Sequence, residues 1–111
     1  MKKSTFILLS CISLCSVELS ASVYKGHGLF KNMCLECHGK ALEFVINKNT
    51  KQWNDLLKDN ASALVLIHLK APEAQKSLEY FKGERFPKHI IHYKDFFSEY
   101  ASDTGNVPAC D

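Results

Sequence analysis

The stretch Cys34-Leu35-Glu36-Cys37-His38 decides how the rest of the chain is read. It is a C-x-x-C-H sequence, the local signature of covalent c-type haem attachment. Residues three and four apart share a helix face, so Cys34, Cys37 and His38 can converge on one flat ligand. The chemistry uses each of them: the thiols add across the two vinyl groups of a haem to give thioethers, and the imidazole of His38 coordinates the iron as proximal ligand. Other uses of C-x-x-C demand other surroundings. A redox dithiol calls for a neighbouring beta-alpha-beta pattern, and no strand of alternating polarity flanks Cys34. A tetrahedral zinc site needs a second pair of ligands, which His89 and His92 leave available, so zinc stays open as the alternative.

An exported context suits haem attachment. Lys2 and Lys3 make a positive start, Phe6 to Leu14 an apolar run, and Ser20, Ala21 and Ser22 a set of small residues suited to signal peptidase. Residues 1–22 are therefore expected to be a signal peptide, cut after Ala21 or Ser22, which puts the remaining chain in the periplasm. As an anchor the segment is short, because Thr5 to Val17 falls below the roughly 20 apolar residues a bilayer needs, and the processed chain is not expected to span a membrane. Leu8-Leu9-Ser10-Cys11 also reads as a lipoprotein signal, after an unusually short apolar run.

Processing at this point takes Lys2, Lys3 and Glu18 from 14 basic and 12 acidic side chains, leaving a net charge near +1. Such a balance implies neither a nucleic-acid partner nor an anionic membrane. It also takes Cys11 and Cys15, so Cys110 is left without a partner in the chain once Cys34 and Cys37 are thioethers; it is either a tail thiol or a link to another chain. Residues 23–111 make one small domain with a marginal apolar core, to which a haem would add a large apolar disc.

The chain then divides into short helical stretches. Val23 to Met33 reads as a helix running into the motif, with Tyr24, His27 and Phe30 on one side and Gly26, Phe30 and Cys34 at steps of four. Lys40 to Asn47 lacks helical periodicity and reads as an apolar loop carrying Leu42, Phe44, Val45 and Ile46. Asn49 and Gln52 form a capping-box pattern opening a helix with Trp53, Leu56 and Leu57 inward. Asn60 or Ser62 can cap the next, with Leu64, Ile67 and His68 on one side, stopped at Ala71-Pro72. Pro72 starts a helix through Leu78 and Phe81 that ends at Gly83, and Pro87 to Ser102 forms the last, with Tyr93, Phe96 and Tyr100 as a packed face.

The fold expected is all-α, four to five short helices around one covalently attached haem. Gly-x-x-x-Phe placed before C-x-x-C-H resembles the N-terminal helix of the class I cytochrome c family, over Gly26 to Gly39 and loosely again over Pro87 to Ala101. That resemblance implies a small residue where the last helix crosses the first beside the haem. The chain departs from the family at the sixth iron ligand, for which the family uses a methionine in the second half. No methionine lies there, and Met33 sits too close to Cys34 to reach the distal face. The candidates are His92 first, then His89 and His68, or an open site. His92 leads because Phe96 and Tyr100, four and eight residues on, share its face, and their packing on Phe30 would turn that face to the haem.

These readings predict a carrier that passes single electrons between transient redox partner proteins, with haem c as cofactor and no enzymatic turnover. A haem-based sensor with an exchangeable distal ligand and a haem-bearing subunit of a larger complex are the alternatives. Lys82, Arg85, Lys88 and Lys94 can dock an acidic partner, although Glu79, Glu84, Asp95 and Glu99 interleave with them as on an ordinary solvated face. Because the core alone is small, the Cys34→Ser/Cys37→Ser double variant, which cannot attach haem, is expected to lose cooperative thermal melting by circular dichroism.

Overall fold

The computed structural model describes residues 15–107, with side chains from Leu19 onward. In chain order it contains α1 Cys15–Met33, α2 Leu35–His38, α3 Ala41–Val45, α4 Thr50–Lys70, a 3₁₀ helix Pro72–Ser77, α5 Leu78–Lys82 and α6 Arg85–Tyr100. No strand occurs among the described residues, so the all-α class stands. Lys2 to Leu14, the alternative lipoprotein signal, the side chain of Cys15, and Cys110 lie outside the described residues. The expected processing junction after Ala21 or Ser22 falls inside α1, which begins earlier than the sequence reading of Val23.

Helices α1 and α6 share the most extensive contact in the fold. They meet at Gly26, where a Cβ would collide with the His92 carbonyl oxygen and come 2.7 Å from Phe96 Cβ. Only a residue without a side chain lets the two backbones approach this closely. Phe30, one turn on, is wholly buried and packs its ring against Phe44, Phe96 and Phe97. His27 stacks flat on Phe96, with ring centres 4.9 Å apart.

Helix α4 closes the other side of this core. The capping box is formed as the sequence suggests: Asn49 Oδ1 accepts from the Gln52 amide, and Gln52 Oε1 accepts from the Asn49 amide. Trp53 is buried and its indole donates to the Val45 carbonyl at 2.8 Å, the core role expected of it. That bond fixes α3, which is one helical turn where an apolar loop was expected. Five residues are too few for a 3.6-residue period to register in the sequence, yet Ala41 and Val45, four apart, both turn inward. The start of α4 is also tied to the chain beyond α6, because Asp103 Oδ1 accepts from both the amide and the hydroxyl of Thr50.

Within α4 the right-handed path breaks at Lys58 and runs left-handed through Asp59, Asn60 and Ala61, at φ of 54°, 56° and 55°. The break separates the half carrying Trp53 and Leu57 from the half carrying Leu64 and His68, in line with a new helix start near Asn60 or Ser62. Left-handed backbone is easiest for Asp and Asn, whose side chains bond locally, and Ala61 is held in it by complete burial. Ala71, extended ahead of Pro72, ends α4, and the 3₁₀ turn and α5 then lead back toward α6.

The Gly26 contact generates a direct expectation. Gly26→Ala should destabilise the fold by at least about 2 kcal/mol, since neither backbone can yield as a side chain would. The Gly28→Ala variant, with open space around its Cβ, should be nearly neutral in the same thermal melts.

Candidate functional site

The motif forms a tight elbow at the end of α1. The Cys34 amide still bonds the Phe30 carbonyl at 2.8 Å, while the amides of Cys37 and His38 both bond the Cys34 carbonyl, at 3.2 and 3.0 Å. One turn therefore folds Cys37 and His38 back over Cys34. Gly39 ends it at φ 74°, ψ −162°, a conformation open in practice to glycine alone. Both thiols are free.

This elbow forms one wall of a cleft of about 260 Å³. Cys34, Cys37 and His38 face into it from the elbow, Leu64, Ile67 and His68 from α4, and Phe86, Tyr93 and Phe97 from α6. The lining is predominantly apolar, as a flat hydrophobic ligand requires. His38 and His68 stand across from one another with ring centres 5.9 Å apart. Each has a phenylalanine behind it: Phe44 lies 4.7 Å from the His38 ring and Phe81 4.2 Å from the His68 ring. His68 Nδ1 is bonded to the Leu64 carbonyl at 2.8 Å, the carbonyl contact expected of a core histidine. Such a bond fixes the tautomer with the proton on Nδ1 and leaves Nε2 as a free ligand atom.

Electrostatics in the cleft favour neutral groups. Burial pushes the Cys34 thiol up to about 11; the Tyr93 hydroxyl offsets part of this and the neighbouring Cys37 adds to it. His38 is held below the ordinary imidazole range by desolvation and then by His68. An imidazole kept neutral is the ligating form.

The structure brings Cys34, Cys37, His38 and His68 together and leaves His92 and His89 out of the cleft lining. The reason is rotation about α6. Phe86, Tyr93 and Phe97 line the cleft at steps of seven and four, and a neighbouring position on a helix is turned by about 100°. His92 consequently belongs to the α1 side, where its Nδ1 is 2.9 Å from Ser22 Oγ; that hydroxyl in turn donates to Asp95. His89 Nδ1 contacts the Tyr80 hydroxyl at 2.8 Å. The packing of Phe96 near Phe30 is as the sequence implied, but it turns the face of His92 onto α1. Met33 lines the cleft close to Cys34.

The fit of a haem to these residues can be judged from spacing. Two imidazoles bound on opposite sides of one metal at bonds of about 2.0–2.1 Å have ring centres roughly 6.3 Å apart. The observed 5.9 Å is close to that, across a cleft that also holds both thiols. Bare zinc fits less well: among the described residues no three His, Cys, Asp or Glu side chains are grouped to hold a metal ion. Also among the described residues, no helix is long and apolar enough to cross a membrane. Comparison with protein-family models, with characterised proteins and with solved structures finds no match to this chain.

Sequence reasoning did not anticipate the paired hydroxyls of Tyr80 and Tyr93, 2.7 Å apart in the cleft wall. Tyr93 had a signal in the aromatic spacing of α6; Tyr80 had none. The elbow itself can be tested through its glycine. Gly39→Ala meets no atom within 4 Å, so any loss comes from the backbone alone. It should cost about 1–3 kcal/mol and lower the yield of protein with haem attached, read from melts and haem content.

Proposed function

We propose that this chain is a c-type haem protein, with haem bound through thioethers at Cys34 and Cys37 and its iron held by His38. Its particular form is a periplasmic monohaem carrier of single electrons with two histidine ligands, His38 and His68. The observation that carries this reading is the opposition of His38 and His68 at 5.9 Å across a cleft lined by both cysteines.

The residues divide the work. Cys34 and Cys37 fix the ligand against loss, and the Gly39 turn aims His38. Leu64 holds the His68 tautomer that leaves Nε2 ready to bind, and Phe44 and Phe81 keep both rings in place. Phe30, Phe86 and Phe97 exclude water from the cleft wall. The haem, when bound, supplies one-electron chemistry at iron, and histidine in place of a methionine thioether lowers the potential and favours the ferric state. With His38 and His68 both holding the iron, small molecules would be kept from it, which favours electron transfer over a sensor with an exchangeable ligand. The signal-peptide pattern that the sequence carries over residues 1–22 supports the periplasmic part of the reading, and redox proteins that dock transiently are the partners.

Protein matured in a cytochrome c assembly system should give one haem c per chain in a pyridine haemochrome assay. Its ferric EPR spectrum should be low-spin. His68→Ala should convert it to high-spin and let the ferrous protein bind carbon monoxide, while His92→Ala and His89→Ala stay low-spin. A high-spin wild type, or a His92→Ala variant that alone becomes high-spin, would refute the ligand assignment.

A further inference from the structure

A row of hydrogen-bonding groups leads out of the cleft wall to the imidazole of His89. The Tyr93 hydroxyl lies 2.7 Å from the Tyr80 hydroxyl, and the Tyr80 hydroxyl lies 2.8 Å from His89 Nδ1. At the inner end, Tyr93 and Cys34 line the same cleft, and the Tyr93 hydroxyl acts on the Cys34 thiol. Tyr80 and Tyr93 are buried and both line the cleft, whereas His89 is half-buried and outside it.

A tyrosine hydroxyl has one proton to give, so the groups at the two ends decide the direction of every bond in such a row. When His89 is neutral with Nδ1 bare, Tyr80 donates to it and Tyr93 donates to Tyr80. The Cys34 sulfur then receives no proton. When His89 is protonated, its Nδ1–H donates to Tyr80, Tyr80 donates to Tyr93, and Tyr93 turns its proton toward Cys34. The protonation state of a group outside the cleft is thus written as the presence or absence of a hydrogen bond at the sulfur.

We propose that His89, acting through Tyr80 and Tyr93 as positioning residues, couples proton uptake at its own ring to electron uptake in the cleft. The proposal rests on the haem function above and concerns how that site is regulated. A hydrogen bond donated to a haem-bearing sulfur, and a positive charge behind it, favour the electron-rich ferrous state. Linkage makes the effect reciprocal: the reduced protein holds the His89 proton more tightly than the oxidised protein does. In the balanced step, one electron from a one-electron donor enters the cleft and a solvent proton forms an N–H bond at His89 Nδ1, the nitrogen that was bare. The hydrogen bonds of the row reverse, and no covalent bond breaks.

The groups that face His89 are Tyr80 from α5, Lys25 from α1, and Arg85 and His92 from α6. Partial burial first, then Lys25, Arg85 and His92, hold the proton affinity of His89 below the ordinary imidazole range. The charged state therefore fills only as pH falls below the ordinary imidazole range, and the coupling acts there.

The test uses the full chain matured with haem c, its covalent haem measured by pyridine haemochrome. The potential is titrated with dithionite between about pH 4 and pH 8, and His89 is titrated by NMR in both redox states. Wild type should bind the His89 proton at least about threefold more tightly when reduced, with the potential rising as pH falls. In protein that carries covalent haem, Tyr80→Phe should bring that ratio to about one, and Tyr93→Phe should do the same, each with some loss in melting temperature from the hydroxyl left unpaired. His89→Gln should abolish this pH dependence of the potential. A wild-type ratio of one with haem attached, or a Tyr80→Phe ratio equal to wild type, overturns this inference and leaves the haem reading standing. Absence of covalent haem overturns both.

Discussion

The contact of two backbones at Gly26 is the constraint from which the rest of the structure follows. With the His92 carbonyl resting against the missing Cβ, α6 is fixed in rotation as well as in distance. Its His92 and Phe96 side is committed to α1, and its Phe86, Tyr93 and Phe97 stripe is left to line the cleft. The same crossing brings Phe30 to the base of the motif elbow, where it meets Phe44. One absent methyl group therefore decides which side chains face the cleft and which hold the helices together.

Inside the cleft, binding and desolvation work in the same direction. Apolar walls raise the cost of charge, which keeps the Cys34 thiol and the His38 ring neutral. Neutral imidazole ligates metal, and a buried neutral thiol is protected from stray oxidation until it meets a partner held close to it. The polar groups that remain are satisfied: no buried side-chain nitrogen or oxygen among the described residues lacks a hydrogen bond. Tyr80 and Tyr93 meet this requirement with each other, which is what lets them form a row rather than two separate anchors.

Much of this was legible in the chain itself. The elbow, the capping box at Asn49, the break near Asn60 and the stop at Ala71 are local matters, and each has a local signature. The face of α6 was harder. His92 and Tyr93 are neighbours in sequence, and the periodicity of Phe96 and Tyr100 identifies a buried side without saying whether it is buried by a helix or by a ligand. The contact of Gly26 with the His92 carbonyl makes the difference, across a separation in sequence that no spacing rule reaches. His68 carried the opposite ambiguity. Its apolar surroundings and its bond to Leu64 suit a core histidine, and the same bond is what an axial ligand needs from its outer nitrogen.

The left-handed run at Asp59, Asn60 and Ala61 gives α4 two independent halves. A continuous helix would tie the azimuth of His68 to that of Trp53 by a fixed 3.6-residue period. Here the joint uncouples them. The inner half can be refined for packing without turning the His68 imidazole, and the outer half can be lengthened or shortened without disturbing the core. Such a joint is a place where length variation is cheap, because neither half passes its rotation on to the other.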